Sequence, residues 1–379
     1  MKGFCMPADF KTETLDRYRE LNRAYADAAV VETYGNITVG NCFGSGRNVE
    51  KLPQVDFDGL RDYIAYSEEQ DISFAYTINP SFLYNREFTR EGVAEIKAFL
   101  LRLREIGVEC LIIALPSLIE IAASLDCGFK IRASSICQIT SANKALLFKQ
   151  MGVHGMVVDE AVNRDFGVLR RIRNAFGENV EIIVNSICHQ DCHYRMFHYN
   201  QISGDSTGAS DRMSCAYYPL RCAMRLYADL SNVLKVAWIR PEDLKYYTAL
   251  GFDRFKLQGR QTVLRGDPVR AVECYFREAY DGDLKDLLFL FAPSELYKVK
   301  LDNRALADFL TPFVRNEGFC CRDCSGCDYC ETFARKFLQS EEVDRIMDSA
   351  REWLQENDPF RKMLAATPPA GAPGGGEGA

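Results

Sequence analysis

The sequence predicts an α/β protein built as a (β/α)8 barrel, and two observations carry this prediction. Short apolar runs rich in β-branched residues alternate with longer stretches of helical period, a pattern typical of βα units around a parallel sheet. Eight such runs occur along the 379 residues, and eight strands close a TIM-like barrel. We therefore expect reactive side chains on the loops that follow the carboxyl ends of the strands.

The predicted strands are short and separated by helical segments. In residues 89–106, for example, Val93, Ile96 and Leu100 recur on one face, which we expect to pack on the sheet. The strands are predicted at residues 3–7, 29–35, 72–79, 109–116, 130–136, 155–160, 180–186 and 255–260.

Two segments depart from the simple repeat. Residues 188–230 are too long for a loop between a strand and its helix, and an insertion of this length in a compact barrel is usually functional. A further strand-like run, VLKVAWIR at 233–240, precedes the eighth strand. We predict the barrel at residues 1–285, a small cysteine-rich extension with a helix at 286–360, and a disordered tail at 361–379.

The composition limits the environment and the partners. No apolar run approaches the roughly 18 residues of a membrane span, and the chain does not begin with a signal-peptide pattern, so we expect a cytoplasmic location. Disulfides are rare in a reducing compartment, and the 15 cysteines therefore indicate metal binding. The net charge of −7 gives no general attraction for a polyanion, although a local basic groove could still bind nucleic acid.

The first cysteine group follows the seventh strand and comprises Cys188, Cys192, Cys215 and Cys222. Four thiolates can hold a [4Fe–4S] cluster or a tetrahedral zinc ion, and these spacings are not those of a zinc finger. Buried, inert cysteines are the structural alternative. Cys42, in the Gly-rich stretch GNCFGSGRN after the second strand, could reach this group as an alternative ligand.

The second cysteine group is the run FCCRDCSGCDYCE. Cys321, Cys324, Cys327 and Cys330 stand at three-residue steps, and Cys320 is left over. The spacing is similar to the C-x2-C-x2-C run of bacterial ferredoxins. A second [4Fe–4S] cluster or a zinc ion could bind here, in a structural or a redox role.

Polar side chains near the eighth strand are candidates for substrate binding. Lys256, Gln258 and Arg260 alternate, so they point to one side, which in a barrel could be the interior mouth. Lys256 and Arg260 would suit a carboxylate or phosphate there, and a structural set of ion pairs is the alternative. His193, beside the first cysteine group, is a candidate for binding substrate or supporting the metal ligands.

Several familiar catalytic motifs are absent from the sequence. The stretch NCFGSGRN lacks both the lysine of a P-loop and the GxGxxG spacing, so no nucleotide site is predicted. HExxH does not occur, and GxSxG occurs as GDSTG at 204–208, which does not directly follow a predicted strand as a hydrolase nucleophile would. No zincin site and no α/β-hydrolase nucleophile can therefore be named.

The order of these segments resembles peptidase family U32. VEIIVNSIC looks like the strand that leads into that family's first cysteine, SCAYYPLRC like its later paired cysteines, and DRFKLQGR like its strand ending in KIEGR. The resemblance covers roughly residues 1–280 and is most specific from 130 to 260. Gln258 stands where the family has a glutamate, and Asn185 where it has a histidine.

The resemblance implies a [4Fe–4S] cluster on the first cysteine group and a part in oxygen-independent hydroxylation. Substrates in the family are a ubiquinone precursor or bases of tRNA and rRNA, with prephenate implicated as oxygen donor. For this chain we expect redox modification of a small molecule, peptide or RNA base, with Lys256 and Arg260 binding an anionic substrate or oxygen donor. The alternatives are a non-catalytic iron–sulfur protein that passes electrons to a partner protein or scaffolds a complex, and a peptidase.

Overall fold

A closed barrel of eight parallel strands is the centre of the protein in a computed structural model, which describes residues 1–207, 216–294 and 297–367. The strands are β1 (Lys2–Pro7), β2 (Ala28–Gly35), β3 (Ser73–Ile78), β4 (Cys110–Ile113), β5 (Lys130–Ala133), β6 (Gly155–Val157), β7 (Val180–Ile183) and β8 (Arg254–Lys256). Each strand pairs with its neighbour in the chain, and β8 closes the ring on β1. The predicted barrel is confirmed, and every strand begins and ends inside its predicted segment or within one residue of it.

Helices connect the strands and continue after the barrel. The six between β1 and β7 are α1 (Thr12–Ala24), α2 (Phe57–Glu69), α3 (Arg90–Glu105), α4 (Pro116–Ala123), α5 (Ala142–Gln150) and α6 (Phe166–Phe176). Between β7 and β8 lie α7 (Arg195–Ser206), α8 (Tyr217–Ala228) and α9 (Leu244–Thr248). After β8 come α10 (Pro268–Phe276), α11 (Leu284–Leu288), α12 (Thr311–Arg315), α13 (Tyr329–Phe337), α14 (Glu341–Glu356) and α15 (Pro359–Ala366).

Helix α3 shows how the sequence pattern becomes packing. Its side chains Ile96, Leu100 and Leu103 are buried, and each such burial contributes roughly 1.5–3 kcal/mol to folding. The hydroxyl of Thr89 accepts a hydrogen bond from the Gly92 N–H and so caps the first turn. The predicted apolar face therefore does pack on the sheet.

The strand-like run at 233–240 is not part of the barrel. Val236 forms an isolated antiparallel bridge with His189. Around it, the N–H of Ala237 donates to the Cys188 carbonyl at 3.0 Å, and the N–H of Gln190 donates to the Lys235 carbonyl at 2.9 Å. This segment therefore supports the backbone of the first cysteine loop.

The C-terminal extension packs on the barrel through helices. Helix α14 buries Val343, Met347 and Leu354, and Asp358 pairs with Arg221 of α8 at 2.6 Å. The predicted tail starts inside α15, which runs to Ala366, and residues 368–379 lie outside the described residues. None of the described helices is long and apolar enough to cross a membrane.

Candidate metal centre and anion site

Three cysteines of the first group meet at the carboxyl end of the barrel. Cys188 and Cys192 lie on the loop between β7 and α7, and Cys222 lies in α8. A hydrogen bond between the thiols of Cys192 and Cys222 lowers the pKa of Cys192 to about 6 and raises the pKa of Cys222. Cys188 also acts on Cys222 through its charge. The fourth predicted ligand, Cys215, lies outside the described residues.

These thiols could hold a metal centre. The lowered pKa of Cys192 favours the thiolate, which is the form that binds metals. A single tetrahedral zinc ion, with Zn–S bonds of about 2.3 Å, needs thiolates about 3.8 Å apart. Within the described part of the chain, the only three ligand atoms that all lie within 4.8 Å of one another belong to Cys5, Glu32 and Glu181. The three thiols of the first group do not all lie within that distance of one another, although Cys192 and Cys222 share a hydrogen bond. An iron–sulfur cluster and a zinc ion both stay predictions for this group.

Buried ion pairs fix the end of the first cysteine loop. Arg195, the first residue of α7, lies 2.6 Å from Asp159 and 2.5 Å from Glu160, and all three side chains are buried. Burial nevertheless raises the pKa of Glu160, because the charged form loses its water. Arg195 therefore attaches the helix that follows Cys192 to the end of β6.

The histidines beside the cysteines differ in their surroundings. His189 is buried beside the first cysteine group, and burial lowers its pKa to about 4. His198 is partly buried near Arg47, and burial lowers its pKa to about 4 as well. His193 is exposed, with its ring 3.8 Å from the ring of Tyr194. Of these histidines, His198 is the one that lies beside Arg47, and the role predicted for His193 stays a prediction.

Arg260 is a buried cation at this mouth, with a side chain 6% exposed. It donates to Asn36, to the Thr77 hydroxyl at 3.1 Å and to the Ser45 carbonyl at 3.2 Å. No carboxylate among the described residues pairs with it. Burial, and then the neighbouring charge of Arg47, lower its pKa to about 9.

Arg47 links Arg260 to the first cysteine group. Its charge acts on Arg260 and also on the thiol of Cys188, and its guanidinium lies 5.7 Å from the ring centre of Tyr199. It too has no carboxylate partner in the described parts of the chain. Among the described residues, two arginines without carboxylate partners therefore lie beside the thiols, an arrangement that could bind an anion.

Lys256 belongs to a different environment from Arg260. Its Nζ lies 3.7 Å from the ring centre of Tyr34 and has no hydrogen-bond partner among the described residues. It faces the barrel interior, where its charge acts on Glu32 and Cys5. The charges of Arg260 and Arg47 act on the same Tyr34, so Lys256 and Arg260 share this neighbour but differ in their other contacts. Gln258, between them in the chain, bonds to Asn185.

A buried ionic network fills the interior below Lys256. Arg132 lies 2.5 Å from Glu32 and 2.9 Å from Glu181, and the Cys5 thiol donates to Glu32 at 3.0 Å. Ion pairs of the kind predicted as the structural alternative therefore lie beside Lys256, and the anion site at Arg260 stays a prediction.

The second cysteine group lies on the surface beside the first. Cys321, Cys324 and Cys327 are exposed, whereas Cys320 and Cys330 are partly buried. Burial raises the pKa of Cys330 to about 11, and the charges of Cys320 and Cys324 act in the same direction.

Cys42 lies apart from both groups. Burial raises the pKa of its thiol to about 12, and the charges that act on it are those of Glu95 and Arg86. Arg86 also donates to the Cys42 carbonyl at 3.0 Å. Its surroundings are those of the loops beside α3, not those of the first cysteine group.

Sequence reasoning missed Arg47 and Asn36 as parts of the site, and it placed Arg195 beside the histidines without its carboxylate partners. Arg47 ends the Gly-rich stretch after β2, which lacks the features of a nucleotide loop. Its position on a loop at the carboxyl end of a barrel strand is nevertheless a usable signal. Asn36, directly after β2, carries the same signal, whereas nothing in the sequence pairs Arg195 with Asp159.

Comparisons with known proteins agree with this fold. The model of Peptidase family U32 matches residues 52–194. The uncharacterized protease MJ1657 of Methanocaldococcus jannaschii is 29% identical over 339 residues, which cover 88% of this chain and 97% of that protein. The solved structure of the U32 peptidase Mk0906 aligns with a TM-score of 0.50 and 16% identity, over 68% of this chain and 92% of that one. The resemblance predicted from the sequence is confirmed.

Proposed function

We propose that this chain is an iron–sulfur enzyme that modifies an anionic substrate by oxygen-independent hydroxylation or a related redox reaction. Its similarity to peptidase family U32 over residues 52–194 supports this proposal. The cluster ligands would be Cys188, Cys192, Cys222 and the predicted Cys215. The observation that carries the proposal is Arg260, a buried cation without a carboxylate partner among the described residues, next to these thiols through Arg47.

The protein's own residues would bind and orient the anion. Asn36 and Thr77 accept hydrogen bonds from Arg260 and hold its guanidinium in place. A carboxylate that pairs with Arg260 and Arg47 would replace the missing counter-charges, and burial would strengthen that pairing. A [4Fe–4S] cluster bound beside it would supply one-electron redox chemistry. His198, kept neutral by burial, would avoid adding a third positive charge.

The test combines metal analysis with anion binding on anaerobically purified protein. Iron and sulfide are measured with electron paramagnetic resonance for wild type, Cys192→Ala and Arg260→Met, and prephenate binding is measured by calorimetry. Cys192→Ala should lose the cluster. Arg260→Met should keep it but bind prephenate at least about 10-fold more weakly, as for a lost charged hydrogen bond of about 1.5–3 kcal/mol.

Arg61→Met is the matched control, because Arg61 is exposed on α2 and pairs with neighbouring aspartates. Arg61→Met should change neither the iron and sulfide content nor the affinity for prephenate. Wild-type protein without iron would contradict the cluster, and equal prephenate affinity in Arg260→Met would contradict the anion site.

A second candidate function is electron transfer to or from a partner protein. The exposed cysteines of the second group favour it, because a metal bound there, by iron–sulfur or zinc ligation, would lie at the surface beside the first group. If the protein only transfers electrons, Arg260→Met should reduce its partner at the wild-type rate. If it is an enzyme, the same variant should lose activity on its anionic substrate. A peptidase, as its relatives are named, should cleave substrate after the iron has been removed.

A further inference from the structure

Arg164 is a buried cation that lacks a carboxylate partner among the residues that the structure describes. Its side chain is 5% exposed. The guanidinium donates to the carbonyls of Leu234 and Val236 and lies 4.6 Å from the ring centre of Trp238, while its Nε has no partner in the described part of the chain. Burying an uncompensated charge costs several kcal/mol, so an anion is expected beside it.

The groups beside Arg164 are thiols of the second cysteine group. Cys330 and Cys320 are among the acidic groups whose charge acts on its guanidinium. Both cysteines pack against the apolar core, in contrast to the exposed cysteines between them. Lys235 adds a second positive charge near Cys330.

Aromatic packing brings Cys320 and Cys330 together. Phe319 directly precedes Cys320, Tyr329 directly precedes Cys330, and their rings meet edge to face with centroids 5.0 Å apart. The Tyr329 hydroxyl also donates to the Phe309 carbonyl at 2.9 Å. The two ends of the cysteine run are therefore held side by side against the apolar core.

Cys321 faces away from this pair. It is exposed, and its thiol contacts the Asp323 carbonyl at 3.7 Å. The backbone turns at the next residue, Arg322, which has a φ of 61°. Of the two adjacent cysteines, Cys320 is thus the one on the side of Arg164.

We propose that the second cysteine group is a thiolate metal centre with Cys320, Cys324, Cys327 and Cys330 as ligands and Arg164 as its buried counter-charge. Four thiolates around zinc or an iron–sulfur cluster carry net negative charge, which the guanidinium would balance. The assignment replaces Cys321 of the sequence-based ligand set by Cys320. It does not depend on the proposed function, because it uses no residue of the first cysteine group.

The test is a matched pair of variants, Cys320→Ser and Cys321→Ser, in full-length protein that also carries Cys188→Ala. That background removes the contribution of the first group, so the remaining metal reports on the second. Iron, sulfide and zinc are measured after anaerobic purification. Cys321→Ser should keep the metal content of its parent, and Cys320→Ser should lose at least half of it. Sulfide with the iron identifies a cluster, and zinc alone identifies a single ion.

Alkylation of the wild-type protein gives a second measurement that needs no variant. With metal bound, iodoacetamide should modify Cys321 and leave Cys320 unmodified, as read by peptide mass spectrometry, and a chelator should expose Cys320. Metal loss in Cys321→Ser, retention in Cys320→Ser, or a parent without metal would each overturn the assignment. Arg164→Gln should release metal to a chelator about 10-fold faster than Arg164→Lys, which keeps the charge.

Discussion

Arg322, inside the second cysteine group, forms an ion pair with Asp191, which lies between Cys188 and Cys192 of the first; Nη1 and Oδ1 are 3.1 Å apart. The other terminal nitrogen of Arg322 donates to the Ala161 carbonyl at 3.1 Å. One side chain thus connects the two cysteine loops to the carboxyl end of β6. The C-terminal extension is therefore attached to the same end of the barrel as the candidate metal centre.

The ion pair between Arg322 and Asp191 should contribute little to the free energy of unfolding, although it holds the two loops together. Both partners are partly exposed, with side chains 33% and 50% accessible, and exposed pairs are worth about 0.2–1 kcal/mol. A double-mutant cycle with Arg322→Ala and Asp191→Ala, measured by urea unfolding, should give a coupling free energy in that range. Hydrogen exchange of residues 318–330 should be faster in both single variants. Unchanged exchange there would contradict a docking role for the pair.

The interior ion pairs should matter far more for stability. Arg132→Met leaves Glu32 and Glu181 buried without their shared cation, and removing one partner of a buried pair costs about 3–5 kcal/mol. Urea unfolding should show this loss. Arg104→Met is the control, because Arg104 lies 3.7 Å from an exposed Glu109. A loss of less than about 1 kcal/mol for Arg132→Met, which is the range of exposed ion pairs, would contradict the role given to Arg132.

The same network should make stability fall in acid. Burial opposes the charge of Glu32, but Arg132 outweighs it, and the pKa of Glu32 is lowered. A carboxylate with a lowered pKa stabilises the fold above its unfolded pKa of about 4.3, and this stability is lost as the pH falls through the folded pKa. Glu32→Gln should therefore unfold with a smaller dependence on pH below about 4 than wild type. The measurement is the unfolding midpoint from about pH 3 to 6, with exposed Glu68→Gln expected to match wild type.

The barrel could be predicted from the sequence because its strands are local patterns. Apolar, β-branched runs such as 72–79 contain the observed strand, Ser73–Ile78. The run at 233–240 has the same character but forms an isolated bridge between Val236 and His189 and a backbone hydrogen bond from Ile239 to Val184, rather than a strand of the barrel. Its apolar side chains pack beside the cysteine loop. A pattern of buried residues in the sequence does not show which segment the backbone of the run will pair with.

The candidate site could be predicted only in part. Cys188 and Cys192 directly follow a strand end in the sequence, so they must lie near the barrel mouth. The structure places both thiols there. The different contacts of Lys256 and Arg260 could not be foreseen. Alternation predicts a shared face, but β8 ends at Lys256, and beyond it the chain no longer follows strand geometry.

Arg195 should act as a positioning residue for the first cysteine loop. Arg195→Met leaves Asp159 and Glu160 buried without a cation, which should cost about 3–5 kcal/mol. It should also lower the iron per chain, because α7 would no longer be attached to the end of β6 beside Cys192. Arg195→Lys keeps the charge but has no guanidinium whose two terminal nitrogens can contact both carboxylates. Its stability and iron content should therefore lie between those of Arg195→Met and wild type. Full iron content in Arg195→Met, measured alongside urea unfolding, would show that the loop is positioned by other contacts.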